Sequence, residues 1–495
     1  MITISPTARV EGDLEVKVEI KNGQVNDAFA SGVIYRGFEQ LLRGRDPIDA
    51  LVFTCRVCGI CCIAHSTASS NALRDAFKAQ MPPNAYLLKN IALASETVMG
   101  HLTHFYISFV TDLTNSKYSS YKAYDEIKRR FSPFTGMSYK RAFQLRRSIL
   151  EIVGLIAGKW PNTLAFQPGG TTKPLNAGEI IRAKAILMGF QNRIEESLLG
   201  CSLDRWLENS TFEQLMAWLG EGDHQQCDLG FFIRCALEVG LDQLGRGPGR
   251  FFSCGGYDLP DGKNWLRSGY YAGEFDSFDP EKIAEHIKYS WLDGYDGGKH
   301  PFDQTVEPNA DKTQAYSWAK APRYDGKTVE LGALSRMIID RDPLALSLLQ
   351  EMGPNVLTRC VARIHESLRL LKQIATWLDQ IDPEQPFFIR HRNVGEAQGI
   401  GLTEAARGTL GHWISIEHGR IKNYQIITPS TWNLSPRDSE DNPGPLEEAL
   451  IGTPVQNDKN PIEVAHVIRS FDPCLFCTVH AVRDDGSLAS FGLQG

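Results

Sequence analysis

Apolar and polar residues change period several times along the chain, and each change marks an element. Leu14-Glu15-Val16-Lys17-Val18-Glu19-Ile20 alternates apolar with charged positions, the period-two signature of a half-buried strand. Lys21-Asn22-Gly23-Gln24 follows as a hairpin turn. Pro82-Pro83-Asn84 breaks the chain ahead of a helical stretch at about 86–110. Leu145, Ile149, Ile152 and Ile156 repeat at helical spacing, as do Ile364, Leu368, Leu371, Ala375 and Leu378, and residues 177–200 read similarly. Four or more long helices with one apolar stripe each predict a bundle at the centre of the molecule.

The stretch 212–345 is rich in Gly, Tyr, Trp and Asp and weakly periodic, so it reads as an irregular elaboration packed on the bundle. Strand character returns at 412–417, with His418-Gly419-Arg420 as a turn before 421–427, and residues 457–471 predict a helix. The expected class is α+β: a long central helix bundle flanked by small antiparallel β regions. No internal repeat, low-complexity tract or linker interrupts it, so 1–495 reads as one integrated domain.

Composition narrows the function classes. The 495 residues are 42% hydrophobic and 22% charged, which fits an ordinary globular protein. A net charge of −7 without a dense Lys/Arg stripe argues against a nucleic-acid surface. No segment approaches the ~18–20 apolar residues of a membrane helix, and the first residues lack a secretory pattern. The expected location is cytoplasmic, or membrane-associated through partner subunits. Eleven cysteines, an odd number, are too sparse for a disulfide scaffold.

Two cysteine pairs carry the chemistry. Arg56-Val57-Cys58-Gly59-Ile60-Cys61-Cys62-Ile63-Ala64-His65 stands near the start and Asp472-Pro473-Cys474-Leu475-Phe476-Cys477-Thr478-Val479-His480 near the end. Each C-x-x-C can hold one metal ion, and two pairs supply four soft thiolates to one centre if the fold brings the terminal parts together. Such a set suits zinc, iron, nickel or copper(I). A structural zinc site usually takes its ligands from one short segment, since short loops close at less entropic cost; a redox or catalytic metal tolerates the long separation. Arg56 is placed to lower thiolate pKa values nearby, and His65 and His480 are candidate ligands or donors to sulfur. Cys55 and Cys62 flank the first pair as competing ligands. Cys201, Cys227, Cys235, Cys254 and Cys360 read as small apolar core residues.

At this point the motifs resemble the R-x-C-G-x-C-x-x-x-H and D-P-C-x-x-C-x-x-H signatures of the large subunit of nickel–iron hydrogenases. Arg9-Val10-Glu11-Gly12, Tyr35-Arg36-Gly37-Phe38-Glu39 with Gly44-Arg45-Asp46-Pro47, His101-Leu102-Thr103-His104-Phe105-Tyr106, the run from Ala406-Arg407-Gly408 to His412-Trp413, and Pro429-Ser430-Thr431-Trp432 to Arg437-Asp438 resemble further family segments in the same order. The resemblance implies a Ni–Fe centre with one CO and two cyanides on iron, Cys58 and Cys474 as terminal nickel ligands, and Cys61 and Cys477 as bridges. It implies Arg407 and Ser430 as hydrogen-bond donors to the cyanides and His65 as a donor to a cysteine sulfur. Glu39, His480 and the Ile426 carbonyl would hold a magnesium ion. Hydrogen would be split heterolytically, with the thiolate of Cys474 as base and Glu11 relaying the proton outward. The implied partners are a small subunit carrying the Fe–S clusters, a maturation protease and nickel-insertion factors, with H2 as substrate and membrane contact only through partners.

Three positions depart from the family pattern: Gly100 where an aspartate is common, Ala406 where a proline is common, and Asp13 where a histidine is common. Ile60, bulkier than the usual valine, is expected to narrow gas access. Residues 481–495 resemble a removable C-terminal extension, whose presence would leave His480 displaced from the magnesium position. An uptake enzyme is the leading reading, with a hydrogen-sensing subunit as the alternative; the family's cofactor-less quinone-reductase relatives have lost the four cysteines retained here.

Overall fold

The structure, a computed structural model, describes residues 2–4, 14–392, 394–474, 481–482 and 488–489. Strand β1 (Ile2–Ile4) pairs antiparallel with β2 (Leu14–Lys21), which forms the expected hairpin with β3 (Gln24–Gly32). Asn22 and Gly23 both take positive φ, the geometry a two-residue hairpin loop requires.

Helix α1 (Cys62–Phe77) starts directly after the first cysteine pair. Helix α2 (Pro83–Thr103) opens with a proline in its first turn, where no intrahelical N–H is needed, and continues as a wider π-helical turn at His104–Phe109. It packs on α3 (Met137–Ala157), the helix of the Leu145–Ile149–Ile152–Ile156 stripe, and on the long helix Val356–Gln380. Helix α4 (Ala177–Ile194) begins with a capping box between Asn176 and Glu179. These helices share one apolar core, as the stripes predict.

The segment 212–345 is more ordered than its periodicity suggests. It holds helix α5 (Asp228–Glu238), a sheet of β4 (Phe251–Asp258), β5 (Asn264–Tyr271) and β6 (Phe275–Asp276), and helix α6 (Ala333–Ile339). Strand β4 is buried along seven of its eight residues and every residue of α6 is buried. An element covered on all sides has no polar face and leaves no alternation to read.

Helix α7 (Val356–Gln380) crosses the bundle, and a three-stranded antiparallel sheet follows: β7 (Ala397–Ala405), β8 (Gly408–Glu417) and β9 (Arg420–Ile427). The last long helix, α8 (Ile462–Ser470), starts five residues later than the sequence suggests, because Pro461 bounds it. It leads straight into Cys474.

Helix α1 lies directly on β7. An added Cβ at Gly401 would stand 1.9 Å from the Ala68 carbonyl oxygen, and one at Gly399 would stand 2.2 Å from that of Ala72. The helix meets these glycines with Ala68, Ala72 and Ala76, spaced four apart on one face. Backbone therefore rests on backbone, and the start of α1 has a fixed place relative to the β7–β8 turn. Gly401→Ala is expected to cost about 3 kcal/mol or more, since the clash is with backbone and cannot be relieved by a rotamer. Gly395→Ala, whose Cβ would meet nothing within 4 Å, should be close to neutral. Urea unfolding midpoints of the two variants check this; equal midpoints would show that the glycines are not what sets the helix on the sheet.

Candidate metal centre

The two ends of the chain meet at sulfur. Cys58 Sγ and Cys474 Sγ are 3.3 Å apart, and the sulfurs of Cys58, Cys61 and Cys474 all lie within 4.8 Å of one another. Cys58 sits in the turn after residue 54, with Cys61 at the N-cap of α1 donating its backbone N–H to Cys58 Sγ at 3.2 Å. Cys474 is held from the other side, where its amide donates to Ser430 Oγ at 3.2 Å. The sulfurs wall a cavity of about 60 Å³ together with Arg36, His65, Arg407 and Ser430.

Three buried thiols at this spacing cannot all ionise unaided. The Cys58 thiol is pulled well below its ordinary value by hydrogen bonding from Cys474 and Cys61, whereas those two are pushed well up. A cation in the cavity would remove that penalty, since a coordinating thiol is deprotonated outright. The protein already supplies positive charge. Burial alone would pull the Arg407 guanidinium down, but Asp472 and the Cys474, Cys61 and Cys58 sulfurs outweigh it. Arg407 donates from Nε to the Asp472 carbonyl at 3.0 Å and from Nη2 to the Asp472 carboxylate at 3.1 Å, while its buried Nη1 has no partner among the described residues. A cationic donor without an acceptor on the wall of a sulfur-lined cavity fits an anionic metal ligand there. Arg36 adds a second cation on the same wall and donates to the Val57 carbonyl at 2.5 Å.

Arg407 stands at the tip of the β7–β8 hairpin, where Ala405 pairs with Gly408. Arg336 of α6 fixes that tip and uses all five of its N–H donors to do so. Nε and Nη2 each reach a Glu366 oxygen at 2.6 Å, Nη1 reaches Glu404 at 2.9 Å, and Nη1 and Nη2 reach the Ala405 and Ala406 carbonyls at 2.8 and 3.0 Å. Glu366 also accepts from His101 Nε2 at 2.7 Å. The two departures at 100 and 406 touch here: a Cβ on Gly100 would stand 3.0 Å from the Ala406 Cβ.

His65 lies on the cavity wall with Nδ1 3.1 Å from His412 Nε2, and His412 Nδ1 is 2.8 Å from the Tyr424 hydroxyl. Burial pulls the His65 imidazole down to about 4, so it is neutral near pH 7. A second cavity of about 140 Å³ adjoins the first and shares Arg36, Val57 and Thr428 with it. Glu39 lines it and accepts from the Ile426 amide at 3.0 Å and from Lys320 Nζ at 3.2 Å. Lys320 also reaches Glu285 at 3.3 Å, and the other Glu285 oxygen is buried without a hydrogen-bond partner among the described residues. Glu39 and an orphaned carboxylate oxygen form a hard-oxygen surface of the kind magnesium takes.

Of the residues expected from sequence, Cys58, Cys61, Cys474, Arg407, Ser430 and His65 converge on one cavity, and Glu39 and Ile426 on its neighbour. Glu11, Cys477 and His480 lie outside the described residues. Arg56 is a correction: it is exposed and donates to the Val52 carbonyl and to Cys55 Sγ, not to the metal-facing sulfurs. Arg36 holds the position expected of it. Cys62 turns away toward Glu96, and Cys55 toward the Val52 carbonyl. Ile60 packs half-buried against the main core rather than lining the cavity. Sequence reasoning missed Arg336, Glu366, Glu285, Lys320 and Glu96. Arg336 and Glu96 share one signal, a lone charge inside a largely apolar helical run.

The chain matches the family model described as nickel-dependent hydrogenase over residues 36–130 and 238–480. It is 31% identical to the periplasmic [NiFeSe] hydrogenase large subunit of Desulfomicrobium baculatum, with 97% of this chain and 95% of that one covered. It is 28% identical to the uptake hydrogenase large subunit of Rhodobacter capsulatus, covering 98% and 96%. The crystal structure of a reduced, active form of the Ni-Fe-Se hydrogenase from Desulfomicrobium baculatum superposes with a TM-score of 0.83 at 30% identity, covering 96% of this chain and 99% of that one.

Arg336→Met would strand Glu366 and Glu404 as buried, uncompensated carboxylates, at an expected cost of about 3–5 kcal/mol. Burial opposes ionisation of Glu366, but Arg336 outweighs it and holds the carboxyl far below its ordinary 4.5. That stabilisation is complete above the unfolded value and fades as pH falls through the folded one. In the variant, the stranded carboxyl, buried without a counter-charge, would be held above its unfolded value. That cost grows as pH rises past the unfolded value, so the deficit should be largest near pH 8 and shrink toward pH 4.5. Urea midpoints of wild type and variant across that range check this, and a deficit independent of pH would contradict it.

Proposed function

The chain belongs to the nickel-dependent hydrogenase family of oxidoreductases acting on H2, and from that premise we propose that it is the catalytic large subunit of an uptake nickel–iron hydrogenase. The observation that carries this reading is the sulfur-lined cavity with a partnerless Arg407 N–H on its wall. A Ni–Fe(CO)(CN)2 centre held by Cys58, Cys61, Cys474 and Cys477 would supply the Lewis-acid and redox chemistry that splits H2.

The chain's own residues divide the remaining work. Cys474 Sγ would serve as the base, since a coordinated metal would hold as thiolate a sulfur that its neighbours otherwise keep protonated. Glu11 takes the proton from that sulfur and passes it outward. Arg407 Nη1 and the Ser430 hydroxyl would hold the cyanides by hydrogen bonds. His65 donates to a cysteine sulfur from the ring nitrogen not engaged by His412. Glu39, the Ile426 carbonyl and His480 would hold a magnesium ion.

Electrons need a separate exit. The cysteines beyond the two pairs are dispersed and buried or half-buried, so a small subunit with Fe–S clusters receives them. No described helix is long and apolar enough to cross a membrane, and membrane contact is through such partners. Residues 481–495 are a removable extension, cut by a maturation protease after nickel insertion. Intact-mass measurement of the mature complex should find the chain ending at His480; a full-length chain in a nickel-loaded complex would refute the cleavage.

Infrared spectroscopy of the chain purified with its natural partner tests the main reading. Sharp bands from one metal-bound CO and two cyanides are expected. Zinc in the site of the processed protein, with no such bands, would overturn it.

A further inference from the structure

Helix α1 has an unusual start. Its N-cap is Cys61, and no side chain at that position accepts from the first turn, since the Cys61 sulfur faces the other sulfurs instead. A helix beginning with a metal-facing cysteine has free N–H groups that must find another acceptor, because orphaned donors in a dry interior are costly. The acceptor comes from a different helix. Glu96 on α2 accepts from the Ile63 amide at 2.9 Å with one oxygen and from the Ala64 amide at 3.0 Å with the other. The Trp160 indole N–H, at 3.0 Å, and the Cys62 thiol, at 3.5 Å, complete the set. Glu96 is 3% exposed.

We propose that Glu96 is a positioning residue of the metal centre: it caps α1 from outside and so fixes the Cys58–Cys61 turn, leaving Cys61 free to ligate. The proposal rests on the nickel–iron reading of the site. Its chain of contacts is short. Glu96 holds the amides of residues 63 and 64, these hold the first turn of α1, and the Cys61 amide at the head of that turn donates to Cys58 Sγ at 3.2 Å. The carboxylate also meets the positive end of the α1 dipole, which otherwise points at the Cys61 sulfur. Burial pushes the Glu96 carboxyl up to about 7 even with these donors present. So costly a group in the core, an acid inside the apolar run 91–94 and 98–99, has a task other than packing.

The test compares Glu96→Gln, Glu96→Ala and Leu88→Ala, each purified with the natural partner. Glu96→Gln keeps one acceptor oxygen but turns an amide NH2 toward a backbone N–H. Leu88→Ala removes packing from the same helix and no cap. In Glu96→Gln, the CO and cyanide bands should shift and broaden, and nickel should be lost to a chelator about tenfold faster, at the low end of what outer-shell changes do. Amide hydrogen exchange at 62–64 should quicken in the metal-free chain as well. Leu88→Ala should lower the unfolding midpoint while leaving the bands in place. Wild-type bands with Glu96→Gln indistinguishable from them, or Leu88→Ala moving them equally, would overturn the proposal. If Glu96→Ala does not fold, Glu96→Gln decides. No bands in the wild type would instead overturn the nickel–iron reading, and unchanged exchange at 62–64 would then still refute the cap.

Discussion

Everything near the centre answers one constraint: three sulfurs from segments 416 residues apart are buried within 4.8 Å of one another. Thiols so placed repel as they ionise, and a dry site offers no water to screen them. The fold answers with positive charge from several directions. Arg407 comes from a hairpin tip, Arg36 from the segment before the first cysteine pair, and the amino end of α1 from the helix that pair begins. A divalent ion added to that arrangement meets ligands already drawn together and already paired with cations. The protein alone favours the Cys58 thiolate, and the other two thiols await the metal's charge.

The supporting ion pairs serve geometry more than stability. Buried pairs such as Arg336–Glu366 and Arg359–Glu330 lose in desolvation much of what they gain in attraction. Their value lies in saturation. With all five donors of Arg336 engaged, two of them by the Ala405 and Ala406 carbonyls, the backbone that carries Arg407 is held in place. Asp472 completes the clamp from the second cysteine segment, which makes the Arg407–Asp472 pair a direct link between sheet and C-terminal ligand.

The outline of this centre was legible because metal ligands announce themselves by type and spacing. The cysteine pairs, the Arg407 and Ser430 segments and the helical stripes were readable, and the structure bears out the α+β bundle. Arg56 was misjudged because adjacency in sequence says nothing about which side of a turn a long side chain takes. It points to solvent, and Arg36, twenty-two positions before Cys58, takes the role expected of it. Glu96 and Arg336 escaped because their partners lie far off in sequence, the amides of residues 63 and 64 for Glu96 and the Glu366 and Glu404 carboxylates with two hairpin carbonyls for Arg336. The segment 212–345 escaped because burial on all sides erases periodicity.

The departures at 100 and 406 become intelligible together. Read separately, a glycine in place of an acid and an alanine in place of a proline look like two losses. In space they are one contact, since a Cβ at 100 would already stand 3.0 Å from the Ala406 Cβ, closer than nearly all real Cβ contacts. A carboxylate at 100 therefore needs the hairpin tip moved, and the tip is pinned by Arg336. The carboxylate paired with Arg407 is Asp472, on the segment that bears Cys474. The negative partner of the guanidinium thus sits on the second cysteine segment, so a shift of that segment moves the cation and Cys474 together.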